Sequence, residues 1–162
     1  MGELRGIVRK FECSVVESIN VLGFFPDITV KVDPEFQKFL DSGHKPTTHD
    51  TIKGEVFQTN HNSNRDDTII TEFGLGKLAP SVVVICSLLA YLGSDEGFSL
   101  LKIPKGEDEV NLILGYTIVE GVPYVLYIEH EFENGVEEIH LHIRDLNRWR
   151  KDTPMVAILK EK

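Results

Sequence analysis

The dipeptide Asn134-Gly135 lies between two stretches rich in Ile, Val, Leu, Tyr and Phe, and it restricts the fold more than any other feature of the chain. Asn-Gly is the strongest short hairpin signal, because a two-residue type I′ turn needs positive φ at both central positions. Glu120-Gly121 punctuates the chain in the same way upstream. Three strands are therefore expected, Leu112 to Val119, Val122 to Glu133 and Val136 to Ile143, joined as an antiparallel β meander.

A two-residue loop also sets the register. Glu133 then faces Val136, Glu131 faces Glu138, Glu129 faces His140 and Tyr127 faces His142. Side chains alternate across a sheet, so Tyr127, Glu129, Glu131, Glu138, His140 and His142 share one face. The other face carries Leu126, Ile128, Phe132, Ile139, Leu141 and Ile143, with His130 as its one polar member. A hydrogen-bonded core histidine is the expectation for His130.

The rest of the chain can be read around this meander. Leu4 to Ile19 has a strand composition, and Ile28 to Val32 alternates as a second strand after the turn residues Gly23 and Pro26-Asp27. Asp33-Pro34-Glu35 has the form of a helix start, with an N-cap carboxylate and Pro at the first helical position. Phe36, Phe39 and Leu40 follow at helical spacing, and Gly43 suits the end of a short helix over about 34–42. Ile52 to Thr59 and Thr68 to Phe73 suggest a hairpin with the polar stretch Asn60 to Asp67 as its tip. Pro80-Ser81 opens an apolar run closing at Gly93, and its length favours one buried helix over about 80–92 rather than a strand. With 162 residues and 41% of them hydrophobic, the expectation is one α+β domain spanning 1–162. Its sheet would be mostly antiparallel, with six or seven strands.

Several classes of function are disfavoured. The apolar run Leu78 to Leu92 carries Pro80, Ser81 and Ser87 and falls short of the roughly 20 residues a bilayer span needs, so no membrane is expected. The N-terminus shows no apolar signal region, and a cytoplasmic location is the default. Cys13 and Cys86 have no second thiol at ligand or redox spacing and are expected to be buried and reduced. The net charge of −9 is unevenly placed: Asp95 to Glu138 holds eleven acidic residues against Lys102 and Lys105, equal to the whole excess. A field of that sign repels phosphate and makes nucleic acid an unlikely partner.

The same charge suggests a function. A non-catalytic binding module could use the acidic surface 95–138 to recognise a basic protein or a like subunit, with electrostatic steering of the encounter. The cluster Arg144, Arg148, Arg150 and Lys151 could dock on a neighbour's acidic surface in a homo-oligomer. The alternative is a small metal-dependent or acid/base enzyme on the polar face of the meander. There His140-Leu141-His142 would supply two nitrogens and Glu129 a cross-strand oxygen to a divalent metal, or Glu129 and His140 would act as catalytic acid and base. His-x-His pairs of this kind resemble those on cupin strands, although no Glu follows at the matching spacing. The plainer alternative is a solvated sheet face, where a Glu–His pair contributes only about 0.2–1 kcal/mol.

Weaker features are more simply structural. Gly74-Leu75-Gly76-Lys77 is neither a P-loop nor a dinucleotide fingerprint and reads as a strand-to-helix turn. His44, His49, Asp50, His61, Asp66 and Asp67 match no ligand spacing and read as loop residues. Trp149 among basic neighbours reads as an indole folded onto the core.

Overall fold

The computed structural model describes residues 4–16, 20–43, 51–59, 63–64, 81–103, 105–106, 109–146, 150–151 and 155–161. The fold is α+β, as the alternation and punctuation of the sequence imply. Its strands are β1 (Leu4–Ser14), β2 (Thr29–Val32), β3 (Thr51–Thr59), β4 (Ser63–Asn64), β5 (Glu109–Val119), β6 (Val122–Glu133), β7 (Val136–Asp145), β8 (Arg150–Lys151) and β9 (Met155–Glu161). Seven form one sheet in the order β1-β3-β9-β5-β6-β7-β2, and β4 pairs with β8 apart from it. The sheet is antiparallel except where β2 lies along β7 and where β5 meets β9.

The meander has the expected register. Glu133 pairs with Val136, Glu129 with His140 and Tyr127 with His142. Asn134 and Gly135 adopt φ 53° and 79°, and Glu120 and Gly121 adopt 52° and 81°, so both hairpins close through left-handed pairs. A β-bulge between Ile113 and Gly115 shifts the pairing of β5 with β6 by one residue. Below the bulge Asn111 faces Glu129 and Glu109 faces Glu131; above it Tyr116 faces Val125.

Helices cover one face. Helix α1 (Pro34–Ser42) buries Phe36 and Leu40 completely, and α2 (Val82–Leu92) buries ten of its eleven side chains. Full burial of a Leu or Phe stabilises by roughly 1.5–3 kcal/mol, so among the described helices α2 contributes most to the core. Its N-cap is Ser81, whose Oγ accepts from the Val84 N–H at 3.4 Å. Ser87, the buried polar residue within it, donates to Val83 O and accepts from Val16 N–H, each at 2.8 Å. At the far end Gly93 passes so close to the 3₁₀ turn Val21–Phe24 that a Cβ there would stand 1.8 Å from Phe24 O. Helix α3 (Asp95–Phe98) and a 3₁₀ turn, Ser99–Leu101, complete this layer.

His130 is a core histidine, 3% exposed. Its Nδ1–H donates to Leu101 O at 2.6 Å, its Nε2 lies 2.6 Å from Glu137 Oε2, and Phe98 packs edge-on against the ring. Cys13 and Cys86 are free and buried. Among the described residues no single helix is long and apolar enough to cross a membrane.

Some expectations change. The first strand stops at Ser14 rather than running on to Ile19. Both edges of β3 are taken by β1 and β9, so it is not half of an isolated hairpin; Thr68 to Phe73 lies outside the described residues. Strand β9, which the sequence reading does not anticipate, lies inside the sheet between β3 and β5. Asp33 occupies the N-cap position of α1, but its side chain makes no cap hydrogen bond. That carboxylate is used elsewhere.

Candidate metal centre

The sheet face opposite the helices is not uniformly open. Ile113, Tyr116 and Val125 on it are 0% exposed, whereas Glu129, Glu131, Glu138, His140 and His142 keep side chains between 12% and 21% exposed. The predicted polar face is therefore a half-buried patch beside a dry one. Four strands supply it: β5 with Glu109 and Asn111, β6 with Tyr127, Glu129 and Glu131, β7 with Glu138, His140 and His142, and β2 with Lys31.

The two imidazoles have different surroundings. His142 Nδ1 lies 3.0 Å from Asp33 Oδ2, and its Nε2 lies 3.2 Å from Glu129 Oε1. His140 Nε2 sits between Glu138 Oε1 at 2.8 Å and Glu131 Oε1 at 3.1 Å. The rings stack on one another at 5.5 Å, Tyr127 stacks on His142 at 4.8 Å, and the Arg144 guanidinium lies 5.2 Å from the Tyr127 ring centre. This packing restricts both imidazoles to a narrow range of orientations.

The charge balance of the patch is negative. Burial would push the Glu129 carboxyl up, but hydrogen bonds from Glu109 and His142 and the two imidazoles outweigh it and hold the group below the usual carboxylate range. The His140 N–H holds Glu138 below that range, assisted by the Lys31 ammonium 3.3 Å away. Both are therefore anionic at neutral pH, and each is turned toward an imidazole.

Among the described residues three overlapping sets of donors result: Glu129, His140 and His142; Glu131, Glu138 and His140; and Glu109, Glu129 and Glu131. Within each set the donor atoms lie within 4.8 Å of one another. A tetrahedral ion bound at about 2.1 Å requires donors roughly 3.4 Å apart, so donors here would have to close by up to about 1.4 Å on binding. In the first set the Asp33 carboxylate accepts from His142 Nδ1–H, which directs Nε2 at the space beside Glu129. Ligating histidines are held by a carboxylate in the same way.

Sequence reasoning placed Glu129, His140 and His142 together, and the structure brings them together. It missed Asp33, which composition assigns to a helix cap, and Glu109 and Asn111, whose register depends on the bulge. Gly115 is the local signal for that bulge, since glycine inside a strand often marks one. His44, His49, Asp50, His61, Asp66, Asp67, Trp149 and the Gly74 to Lys77 turn lie outside the described residues. A groove of about 840 Å³ beside α1, lined by Phe39, Val119, Tyr124 and Ile143, opens on the helix side and takes no part in this site. No family model matches the chain, and neither curated proteins nor solved structures give a match.

Proposed function

We propose that the protein is a small metal-dependent enzyme whose meander face binds one divalent transition-metal ion through an imidazole nitrogen of His140, His142 Nε2 and a Glu129 carboxylate oxygen. The observation carrying this reading is the Asp33–His142 contact, a carboxylate that forgoes its helix cap to orient an imidazole toward a second carboxylate. Two imidazoles and one carboxylate suit zinc and its neighbours, and three protein ligands leave a position for water or substrate. Glu138, 2.8 Å from His140, is also held by Lys31, so Glu131, 3.1 Å from His140, is the carboxylate that would serve as general base toward a metal-bound water.

The rival reading is docking of a basic protein or second copy on the acidic stretch 95–138. The supporting charge is dispersed, however. Glu129, Glu131 and Glu138 turn into the half-buried patch, Glu137 faces His130, and Glu96 faces Arg9 and Tyr91. A docked complex of that kind would dissociate as ionic strength rises.

Titrating zinc into chelator-treated protein by calorimetry tests the metal reading. One tight equivalent is expected, and it should disappear in the His140→Ala/His142→Ala variant with the circular dichroism spectrum unchanged. Wild-type protein that takes up no zinc would overturn the proposal.

A further inference from the structure

We propose that the groove beside α1 binds a small amphiphilic amine, with its apolar body against Phe39, Val119 and Ile143 and its ammonium between the Asp145 carboxylate and the Tyr124 ring. The groove opens on the opposite face of the sheet from the metal centre and does not depend on it.

Its walls follow from two periodicities. Phe36 and Leu40 turn one stripe of α1 to the core, and the neighbouring stripe of Glu35, Lys38, Phe39 and Ser42, at i, i+3, i+4 and i+7, lines the groove. On the sheet Tyr124 is paired with Thr117 on one side and Asp145 on the other, so the three form a row across β5, β6 and β7. Val119 and Ile143 stand two residues from this row along their own strands and share its face. The floor is thus a polar row between apolar margins.

Size and mouth point to a ligand. A volume of about 840 Å³ falls in the range of small-molecule sites, which are mostly apolar with a few convergent polar groups. At the mouth, the tip of the β5–β6 hairpin keeps Ile118, Val119 and Val122 between 45% and 50% exposed. Large apolar side chains exposed together mark a binding surface, whereas scattered ones do not.

The charges select a cation. Lys38 is taken by Glu35 at 3.0 Å. The Arg144 guanidinium lies 5.2 Å from the centre of the Tyr127 ring on the other face, and its N–H bond goes to the main-chain carbonyl of Asp145, not to the carboxylate. Among the described residues neither Asp145 nor Glu120, the remaining carboxylates of the lining, forms an ion pair. An ammonium complements them, since Asp145 would give a charge-assisted hydrogen bond and the Tyr124 ring beside it a cation–π face. The net charge of −9 favours the approach of a cation and opposes that of an anion. A free amine suits the site better than a lysine of a docked protein. Stable protein partners each cover roughly 800 Å², more than a groove between one nine-residue helix and the end of a hairpin offers.

The probes are 4-phenylbutylamine, 4-phenylbutanol and 4-phenylbutanoate, which share one body and differ in head group. Each is titrated into metal-free protein, with binding read from amide shifts in two-dimensional NMR. The amine should shift residues of α1 and of the 117–124 hairpin and bind at least tenfold more tightly than the alcohol, with the carboxylate weakest. Asp145→Asn should weaken the amine tenfold or more and leave the alcohol within twofold. Val119→Lys, at a position 45% exposed and so tolerant of a polar side chain, should abolish amine binding, and it decides the matter if Asp145→Asn does not fold. Equal affinity for amine and alcohol, amine binding indifferent to both variants, or shifts confined to other parts of the molecule would overturn the inference. Saturation of the groove by poly-lysine, with none of the three probes bound, would overturn it in favour of a protein partner.

Discussion

Replacing Asp33 by Asn isolates the orienting carboxylate from everything else at the site. Asn is as good an N-cap residue as Asp, and its amide oxygen can still accept from His142 Nδ1–H, so the fold and the ring orientation should survive. What disappears is one negative charge. With Asp33 Oδ2 3.0 Å from Nδ1 and a metal about 2 Å beyond Nε2, that charge would lie roughly 6 Å from the ion. Coulomb's law for a unit charge and a divalent ion at this separation gives about 1.4 kcal/mol in water and about 2.8 kcal/mol at half the dielectric constant of water. The Asp33 side chain is 41% exposed and that of His142 21%, which places the pair in this weakly screened but wet range. Zinc affinity should therefore fall about tenfold to a hundredfold, the range found when outer carboxylates of metal sites are altered. Urea unfolding of the metal-free protein should change by less than about 1 kcal/mol, because the Asp33–His142 contact is partly exposed. Competition calorimetry on a protein with unaltered unfolding is the assay. Affinity within twofold of wild type would refute the assignment of Asp33 as an orienting group.

Three further outcomes follow from the fold. Gly93→Ala should destabilise by several kcal/mol in denaturant unfolding, since its Cβ would meet the Phe24 carbonyl at 1.8 Å and backbone must move; a change below about 1 kcal/mol would show the contact to be soft. His130→Ala removes the bond to Leu101 O and opens space beneath Phe98, and a loss of roughly 2–4 kcal/mol is expected, with a near-neutral result excluding a core role. Burial pushes both thiols up to about 11 from an ordinary 9.0, with Glu12 adding to the effect at Cys13. Folded protein therefore holds these protons more tightly than unfolded protein, and stability should fall as pH rises from about 9 through about 11. At pH 8 neither thiol should react with an aromatic disulfide reagent until denaturant is added, and rapid native-state labelling would contradict their burial.

The contrast between the two hairpins shows what the sequence could reveal about the site. Asn134-Gly135 closes β6 onto β7 without irregularity, so pairing residues outward from the turn placed Glu129 opposite His140. The same procedure from Glu120-Gly121 would have put Asn111 opposite His130, on the core face, because nothing in a residue count announces the extra residue at Leu114. Local chemistry also read Asp33 correctly as the N-cap residue but not the direction of its carboxylate, since the imidazole that takes it lies 109 residues away. Strand β9 shows a further limit. A central strand is recognised by what flanks it, and the partners of Met155–Glu161 come from β3 and β5, remote in sequence. Helix α2 was legible because it is apolar all round, a pattern that length alone separates from a buried strand.

The four residues of β2 form one edge of the sheet, and they lead directly into Asp33. If this short ribbon peels away from β7, Lys31 leaves Glu138, Asp33 leaves His142, and the newly bared backbone of β7 becomes open to another chain. Fraying of the margin and loss of the imidazole's support are thus one event. An ion seated beside His142 would act as a latch, holding the margin shut by the part of its affinity that depends on Asp33. Amide exchange along Thr29 to Val32 would then be a gauge of occupancy, slowing when the face is filled and quickening when it is stripped.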